Sequence, residues 1–251
     1  GKDGKVCKVV TDKRELEAQL VIFAAGFIPN GQLAKDAGLE VAPFGAIMVD
    51  RHMRTSDPAI YAGGDCVSIK NIITGKPGYL PLGSMANRQG RVIGTNLAGG
   101  EAVFPGYVGS WAVKLFDLSF CGVGLTVERA RAEGFDAFSV SVEQFDHAHF
   151  YPEKAMMTLE LVVDKATGRV LGMQGACADG DSLKARVDAV AAALQYSQPR
   201  VEDISNLEVA YAPPFASAMD VVNVVGNVAD NVLAGRFTPV TADQFMDMWQ
   251  K

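Results

Sequence analysis

The segment that decides the fold is Thr55-Ser56-Asp57-Pro58-Ala59-Ile60-Tyr61-Ala62-Gly63-Gly64-Asp65. Pro58 predicts the start of a short buried strand, and Gly63-Gly64 allow a tight turn out of that strand. The Asp65 carboxylate would then lie at the carboxyl end of a strand, where open α/β folds bind ligands and where it can accept hydrogen bonds from sugar or polyol hydroxyls. The alternative is an ordinary strand and turn in which the aspartate serves only as a cap.

Regular elements are predicted on both sides of this segment. Downstream, apolar residues recur at helical spacing from Gly83 to Leu97, and Gly99-Gly100 end that helix. Upstream, the patterns predict a hairpin with strands over residues 5–12 and 18–25, a short helix over Gln32 to Ala37, and a strand over Ala46 to Asp50.

The rest of the chain, residues 105–236, mixes strand and helix patterns, and strands in succession with helices to one side indicate an α+β layer. A capped helix is also predicted near the end, from Thr241 to Trp249. The clearest patterns within 105–236 are a helix that Thr126 caps and Gly134 ends, a strand over Phe138 to Val142, a hairpin of Met156–Val163 and Arg169–Cys177, a helix after the capping candidates Asp181 and Ser182, and a helix from Val221 to Val232.

Composition narrows the class of protein. The 251 residues carry a formal charge of −6 and are 49% apolar, which is typical of a globular protein of one or two domains. No cluster of basic residues predicts nucleic-acid binding, and the apolar run Leu20–Ile28 is about half the ~20 residues that a membrane span needs. The four cysteines form no C-x-x-C pair and no signal segment is present, so we expect reduced thiols in a cytoplasmic protein.

Three motifs in the first part of the chain resemble the pyridine nucleotide-disulfide oxidoreductases. Thr55–Asp65 resembles their second flavin motif, Ala24–Asn30 the A-T-G-x-x-P-N segment that closes their nicotinamide domain, and Pro81–Gly90 their P-L-x-x-x-A-x-R/K-Q-G helix. The resemblance implies FAD with its ribityl chain on Asp65 and its pyrimidine end at the start of that helix, whose partial positive charge suits a ring that gains electron density. It implies flavin contacts for Thr55, Ile60, Gly64, Asp65, Leu82 and Ala86, and a substrate contact for Asn87.

Later motifs resemble the dimerisation domain of the branch that contains coenzyme A-disulfide reductase, NADH oxidase and NADH peroxidase. In the coenzyme A-handling members, tyrosines of the partner subunit reach the active site. The resemblance therefore implies a homodimer, with catalytic roles for Tyr211 and, second, Tyr151. Phe150 stands where the first of two adjacent tyrosines is usual, and Met219 occupies a substrate-binding position where lysine often contacts the coenzyme A phosphates. The motifs are Phe116–Thr126, His147–Pro152 and Leu207–Phe215.

No metal site is predicted. His147 and His149 have a spacing that suits two ligands on one strand, but no cysteine or carboxylate was identified nearby at ligand spacing. Cys66, directly after Asp65, is expected to be structural, although a nucleophilic role is the alternative. The other cysteines lie in apolar runs and are expected in the core, namely Cys7, Cys121 and Cys177.

The predicted fold class is α+β, with an α/β FAD-binding part and an α+β dimerisation domain of the glutathione-reductase-like fold, together forming a fragment of a larger flavoprotein. The predicted divisions are the end of an NAD(P)-binding domain (1–30), the C-terminal part of an FAD-binding domain (31–104), the dimerisation domain (105–236) and a linker (237–251).

The predicted function is reduction of coenzyme A disulfide, persulfide or polysulfide by NAD(P)H through FAD. The redox cysteine would lie outside this chain, as would the G-x-G-x-x-G segments, which the sequence lacks. The fragment alone is expected to be inactive. Residues 238–251 resemble the lead-in to a rhodanese-like domain, which favours persulfide or polysulfide. The alternatives are an NADH oxidase or peroxidase and an inactive dimerisation module.

Overall fold

The computed structural model describes residues 1, 3–240 and 242–250, and its elements follow one another in three groups. The first is an antiparallel hairpin of β1 (Lys8–Val10) and β2 (Glu15–Glu17). The predicted hairpin is confirmed, but its second strand over 18–25 is wrong because the ladder ends where Glu17 faces Lys8. Residues 20–23 have no regular structure, and their apolar side chains are exposed.

The second group is a small sheet packed against a long helix. Strand β4 lies in the middle of the sheet, parallel to β3 and antiparallel to β5. Helix α2 begins and ends at the predicted residues, and Gly99, with φ of +86°, closes it by donating to the Asn96 carbonyl at 3.1 Å. The elements are α1 (Gln32–Asp36), β3 (Ile47–Met48), β4 (Val67–Lys70), β5 (Pro77–Gly78) and α2 (Gly83–Leu97).

The short strand predicted after Pro58 is wrong. The Thr55 N–H donates to the Ile60 carbonyl at 2.9 Å, so this segment turns back on itself as a tight loop. A strand begins only at Val67, after the two glycines. Asp65 therefore precedes a strand, and the prediction that it follows one is corrected.

The third group is a five-stranded antiparallel sheet with two long helices packed on it. The strand order is β6-β7-β10-β9-β8, with α4 against β7 and β10, and α6 against β8 and β9. Most of the buried apolar side chains of β9 and β10 belong to one large core. The elements are β6 (Trp111–Leu115), β7 (Leu118–Gly124), α3 (Val127–Ala132), β8 (Ala137–Phe145), β9 (Met156–Asp164), β10 (Val170–Cys177), α4 (Gly180–Tyr196), α5 (Val201–Ser205) and α6 (Val221–Leu233).

Most predictions for this group are confirmed, including the α+β arrangement of its sheet and helices. Thr126 Oγ1 accepts from the Arg129 N–H at 3.3 Å and so caps α3 as predicted. Helix α4 is capped by Asp179, however, because that carboxylate accepts the N–H groups of Asp181 and Ser182, the two residues predicted as caps.

Side-chain hydrogen bonds are among the contacts that join the second and third groups. Arg169 Nη2 donates to the Ile73 carbonyl at 3.1 Å, and Lys76 Nζ lies 2.8 Å from Glu133 Oε2. The Lys76 hydrogen bond, with the Arg129 charge, lowers the pKa of Glu133, although burial opposes it.

The remaining predictions are mixed. Cys121 and Cys177 are buried as predicted, but Cys7 is exposed because its hairpin packs on no core. The predicted terminal helix is confirmed as α7 (Ala242–Trp249), whereas its predicted cap, Thr241, lies outside the described residues. Among the described helices, none combines the length and apolar character that a membrane crossing requires.

Candidate functional site

The Gly63-Gly64 turn packs directly on helix α2. The Gly64 N–H donates to Gln89 Oε1 at 2.6 Å, and Gln89 is only 1% exposed. A Cβ on Gly63 would lie 2.9 Å from Ile93 Cδ1, and Gly64 has a φ of +88°, so both positions favour glycine. The two glycines and the buried side-chain amide of Gln89 thus fix the turn that precedes Asp65.

Asp65 itself is exposed, and its carboxylate makes no hydrogen bond or ion pair with the described residues. Its backbone carbonyl accepts from the Tyr79 hydroxyl at 2.8 Å. Burial, together with the nearby Asp65 and Cys66, raises the pKa of that tyrosine. Cys66 is half-buried and its Sγ contacts the Gly63 carbonyl at 3.5 Å, which fits the structural role predicted for it.

The N-terminus of α2 lies beside this turn and is not capped by a side chain. Leu82 is the N-cap residue, and Gly83 and Ser84 after it are exposed. Ala86, one turn into the helix, is the nearest atom group to a Cβ built on Gly64, at 3.8 Å. The uncapped N–H groups and the helix dipole can bind an acceptor or an anion.

The other predicted flavin residues shape the loop before the turn. Thr55 is buried, and its Oγ1 donates to the Asp57 carbonyl at 3.0 Å, so its hydroxyl is used within the loop. Ile60 is partly exposed. Asn87 is exposed on α2 and donates to the Gly83 carbonyl of its own helix at 2.8 Å.

A flavin fits this donor and acceptor set. The free Asp65 carboxylate matches the hydroxyls of a ribityl chain, and the uncapped start of α2 matches the carbonyl-rich end of an isoalloxazine ring. The glycine pair allows close approach of a ligand because side chains are absent there. These groups lie on a second, smaller core, whose buried residues are Met53, Val67, Ile69, Val92 and Phe104.

The two predicted tyrosines lie on loops of the larger core, and these loops are joined to each other. The Ala148 N–H donates to the Pro213 carbonyl at 3.2 Å, and the Ser217 hydroxyl donates to the His147 carbonyl at 3.1 Å. Tyr211 is 52% exposed, whereas Tyr151 is partly buried. The structure therefore brings together the two loops that the sequence singled out separately.

A buried arginine, which the sequence reading missed, holds both loops. Arg186 of α4 is 8% exposed, and its Nη2 donates to the carbonyls of Asp146 at 3.1 Å and Phe215 at 2.9 Å. The same guanidinium pairs with the buried Asp220 carboxylate, with Nη2 2.7 Å from Oδ2, and donates to the Ser182 hydroxyl at 2.7 Å. One side chain thus connects the turn after β8, the loop before α6 and the first turn of α4.

The remaining residues of these motifs occupy the surface around the loops. The Tyr151 ring stacks on the His147 ring with centroids 5.8 Å apart, and Phe150 is exposed. Met219 is exposed, and its carbonyl accepts from Gln144 Nε2 at 2.9 Å. His147 and His149 lie in the turn after β8, so the strand spacing considered for them as a metal pair does not apply.

Comparison with known families gives two matches. The model of pyridine nucleotide-disulphide oxidoreductases matches residues 1–90, and the model of the dimerisation domain of the same family matches residues 111–222. Together they include most residues of the two buried cores.

Individual relatives agree with these matches. A protein of Pyrococcus furiosus named "NAD(P)H sulfur oxidoreductase (CoA-dependent)" is 39% identical over 224 residues, which are 89% of this chain and 50% of that protein. The chain spans about half the length of the curated relatives that it matches.

Solved structures show the same relation. An FAD-dependent pyridine nucleotide-disulphide oxidoreductase of Desulfovibrio vulgaris is 63% identical with a TM-score of 0.80, covering 93% of this chain and 54% of that one. An NAD-dependent persulfide reductase of A. fulgidus is 40% identical with a TM-score of 0.89, covering 94% of this chain and 44% of that one.

Proposed function

This chain belongs to the pyridine nucleotide-disulphide oxidoreductase family, and from that premise we propose that it forms the C-terminal part of an FAD-dependent NAD(P)H oxidoreductase. Its substrate would be coenzyme A disulfide, persulfide or polysulfide, reduced through a cysteine outside this chain. The names of the relatives support the substrate class, since they include a coenzyme A-dependent sulfur oxidoreductase and a persulfide reductase. The observation that carries the proposal is the joining of the Tyr151 and Tyr211 loops at one place on the dimerisation part of the chain.

The residues of the smaller core would hold the cofactor. Asp65 would accept hydrogen bonds from the ribityl hydroxyls, and the N-terminus of α2 at Leu82 would donate to the ring. Gly64 leaves the space for close approach, and Gln89 keeps that glycine in place. When bound, FAD would supply the transfer of two electrons from NAD(P)H to the mixed disulfide or persulfide held by the redox cysteine.

The tyrosines would act on the thiol side of the reaction. When a coenzyme A disulfide is reduced, one thiolate leaves, and a phenol beside it can donate a hydrogen bond or a proton. Tyr211 suits this role because its side chain is half-exposed, while its loop is tied to the His147 turn. Tyr151 is the second candidate, held against the His147 ring.

The setting of the enzyme belongs to the same proposal. A homodimer would place the tyrosine loops of one subunit at the active site of the other, in keeping with the match to a dimerisation domain. The divisions at residues 30, 104 and 236 would be domain boundaries. A cytoplasmic location is supported by the four free thiols, which an oxidising compartment disfavours.

Anaerobic titration of the complete gene product tests this function. Its visible flavin absorption should bleach with NADH and recover when coenzyme A disulfide or persulfide is added. The Tyr211→Phe variant should recover more slowly, by about 10²-fold or more for loss of a general acid, whereas Tyr196→Phe on the exposed end of α4 serves as the matched control. Recovery with oxygen alone, unaffected by Tyr211→Phe, would establish the oxidase alternative. Absence of a flavin would leave only the inactive dimerisation module.

Two further variants test the substrate class directly. Met219→Lys adds a cation where related proteins often bind a coenzyme A phosphate, so KM for coenzyme A substrates should fall while kcat changes little. Phe150→Tyr adds a phenol next to Tyr151, and kcat should rise if the first tyrosine of the pair is the proton donor. Unchanged kinetics in both variants would argue against coenzyme A binding at these loops.

A further inference from the structure

The turn after β8 buries a carboxylate that is only half satisfied. Asp146 is 1% exposed, and its Oδ1 accepts from the Ala155 N–H at 2.7 Å. Its Oδ2 is buried and has no hydrogen-bond partner among the described residues. A buried carboxylate oxygen without a partner is costly, so this atom calls for a cationic partner.

Two more metal-ligating groups converge on Asp146. His147 Nδ1 lies 2.8 Å from Asp146 Oδ1, but the alignment does not make a hydrogen bond, and this nitrogen is also buried without a partner. Asp179 supplies the third group, and one ligand atom from each residue lies within 4.8 Å of the others. Of the two carboxylates only Asp146 is adjacent to His147 in the chain, and Asp179 reaches the group through the fold, so no metal site was predicted from the spacing of the histidines.

The nearby arginine does not neutralise this group. The Arg186 guanidinium is engaged by the Asp220 carboxylate and reaches Asp146 only through its backbone carbonyl. A cavity of about 460 Å³ lies beside this arginine, and Asp179 and Asp181 line it together with His147. The cavity lining thus carries the carboxylates of Asp179, Asp181 and Asp220 but only one guanidinium, that of Arg186, and this excess of negative charge favours a cation.

We propose that Asp146, His147 and Asp179 bind a divalent metal ion of the Zn²⁺ and Mn²⁺ type. One imidazole nitrogen with two carboxylate oxygens is the donor set of such ions, and the cavity leaves space for water ligands. Bond lengths of about 2.0–2.2 Å keep ligand atoms on one ion within about 4.4 Å of each other, so binding would draw these atoms, now within 4.8 Å, slightly closer together.

The bound ion would connect two parts of the tyrosine site. Asp179 belongs to the start of α4, whereas His147 belongs to the turn that carries Tyr151 and stacks on its ring. The metal would fix the orientation of the imidazole and thereby of the stacked phenol. This role does not depend on the proposed reaction, because the site can be assayed without flavin or substrate.

Manganese alone is the probe, since the electron paramagnetic resonance signal of free Mn²⁺ reports binding and Mn²⁺ avoids cysteine thiols. Two ligand variants keep the local structure intact. Asp146→Asn keeps an oxygen for the Ala155 N–H, and Asp179→Asn keeps an N-cap oxygen for α4. Asp181→Asn is the matched control, because it removes the same charge from the exposed rim of the same cavity.

The complete protein should bind one Mn²⁺ per chain at this site, and Zn²⁺ should displace it because Zn²⁺ binds such ligands more tightly. Asp146→Asn and Asp179→Asn should each weaken Mn²⁺ binding by more than about 100-fold. This exceeds the usual effect of losing a residue that only hydrogen-bonds to a metal ligand. Asp181→Asn should change it by only a few-fold. Absence of saturable binding, or equal binding by the wild type and both ligand variants, would overturn the proposal.

Discussion

Arg186→Met would remove the guanidinium that joins three segments around the tyrosine loops while keeping a long apolar stem in their place. The arginine is 8% exposed, and it donates to the Asp220 carboxylate, to the Ser182 hydroxyl and to two loop carbonyls. Methionine fills much of the same volume but makes none of these bonds. The change therefore isolates the polar contribution of this side chain.

The magnitude follows from what remains after the change. Asp220 is 2% exposed, and among the described residues its carboxylate would keep only the hydrogen bond from the Val222 N–H, at 3.0 Å, by which it caps α6. Removing one partner of a buried ion pair costs about 3–5 kcal/mol, because the other charge stays buried without compensation. Against a typical total stability of about 5–15 kcal/mol, we expect a loss of about 4 kcal/mol.

Urea unfolding of a double-mutant cycle measures this effect. Asp220→Asn keeps the α6 cap but leaves the arginine charge unpaired, and combining it with Arg186→Met removes both charges. The double variant should therefore lose at least about 2 kcal/mol less than the sum of the single losses. Lys184→Met, which breaks an exposed pair with Asp188 on the same helix, is the control and should cost under about 1 kcal/mol. A loss below about 1 kcal/mol for Arg186→Met, or simple additivity, would refute the reasoning.

Three further changes test other features of the structure. Glu133→Gln should lower stability at neutral pH by about 0.5–1 kcal/mol. The Lys76 hydrogen bond lowers the pKa of Glu133 on folding, so the stabilisation by this carboxylate is present above its ordinary pKa of 4.5 and is lost as pH falls through the folded pKa. The unfolding curves of the wild type and the variant should therefore converge in acid. Burial raises the pKa of the Cys121 and Cys177 thiols, so thiol titration of the native chain should spare these two and modify them only in denaturant; their modification in the native chain would contradict the fold. Gly64→Ala should cost about 1–2 kcal/mol by urea unfolding because its φ of +88° disfavours a side chain, and an unchanged midpoint would argue against this turn.

Helices and hairpins with local signals could be predicted from the sequence nearly to the residue. Helix α2 carries its apolar spacing from Gly83 to Leu97 and its own stop at Gly99, so no tertiary information was needed. The hairpin of β9 and β10 was similarly clear, because the turn after Asp164 contains Gly168 at φ of +71°.

Errors arose where backbone pairing decided the structure. The apolar run Leu20–Phe23 looked like a strand, yet the ladder of the first hairpin uses Glu15–Glu17 instead. The residues after Pro58 form a loop because the Ile60 carbonyl accepts from Thr55 within the same segment. Hydrophobicity indicates which residues prefer burial, but it does not say which backbone groups find partners.

The predicted functional residues came from motifs, whereas the residues that hold them in place did not. Arg186 in a helix is ordinarily expected at the surface, although it stands three residues after Leu183 and next to Val187 on the buried face of α4. Gln89 likewise stands on the buried side of α2, three residues before Val92. In both helices the polar residue stands at a position where the helical spacing predicts an apolar one, and this mismatch is the sequence signal that could have identified it.

These two buried side chains have the same physical task. Each is fixed on a helix and hydrogen-bonds to the backbone of a neighbouring loop: Gln89 accepts from the Gly64 N–H, and Arg186 donates to carbonyls in the loops of both tyrosines. Backbone groups in a loop have no ladder to satisfy them, so a helix-borne donor or acceptor fixes the loop conformation and satisfies a buried group at once. A conservative change at either position would therefore displace the neighbouring loop, even when the replacement fits the core.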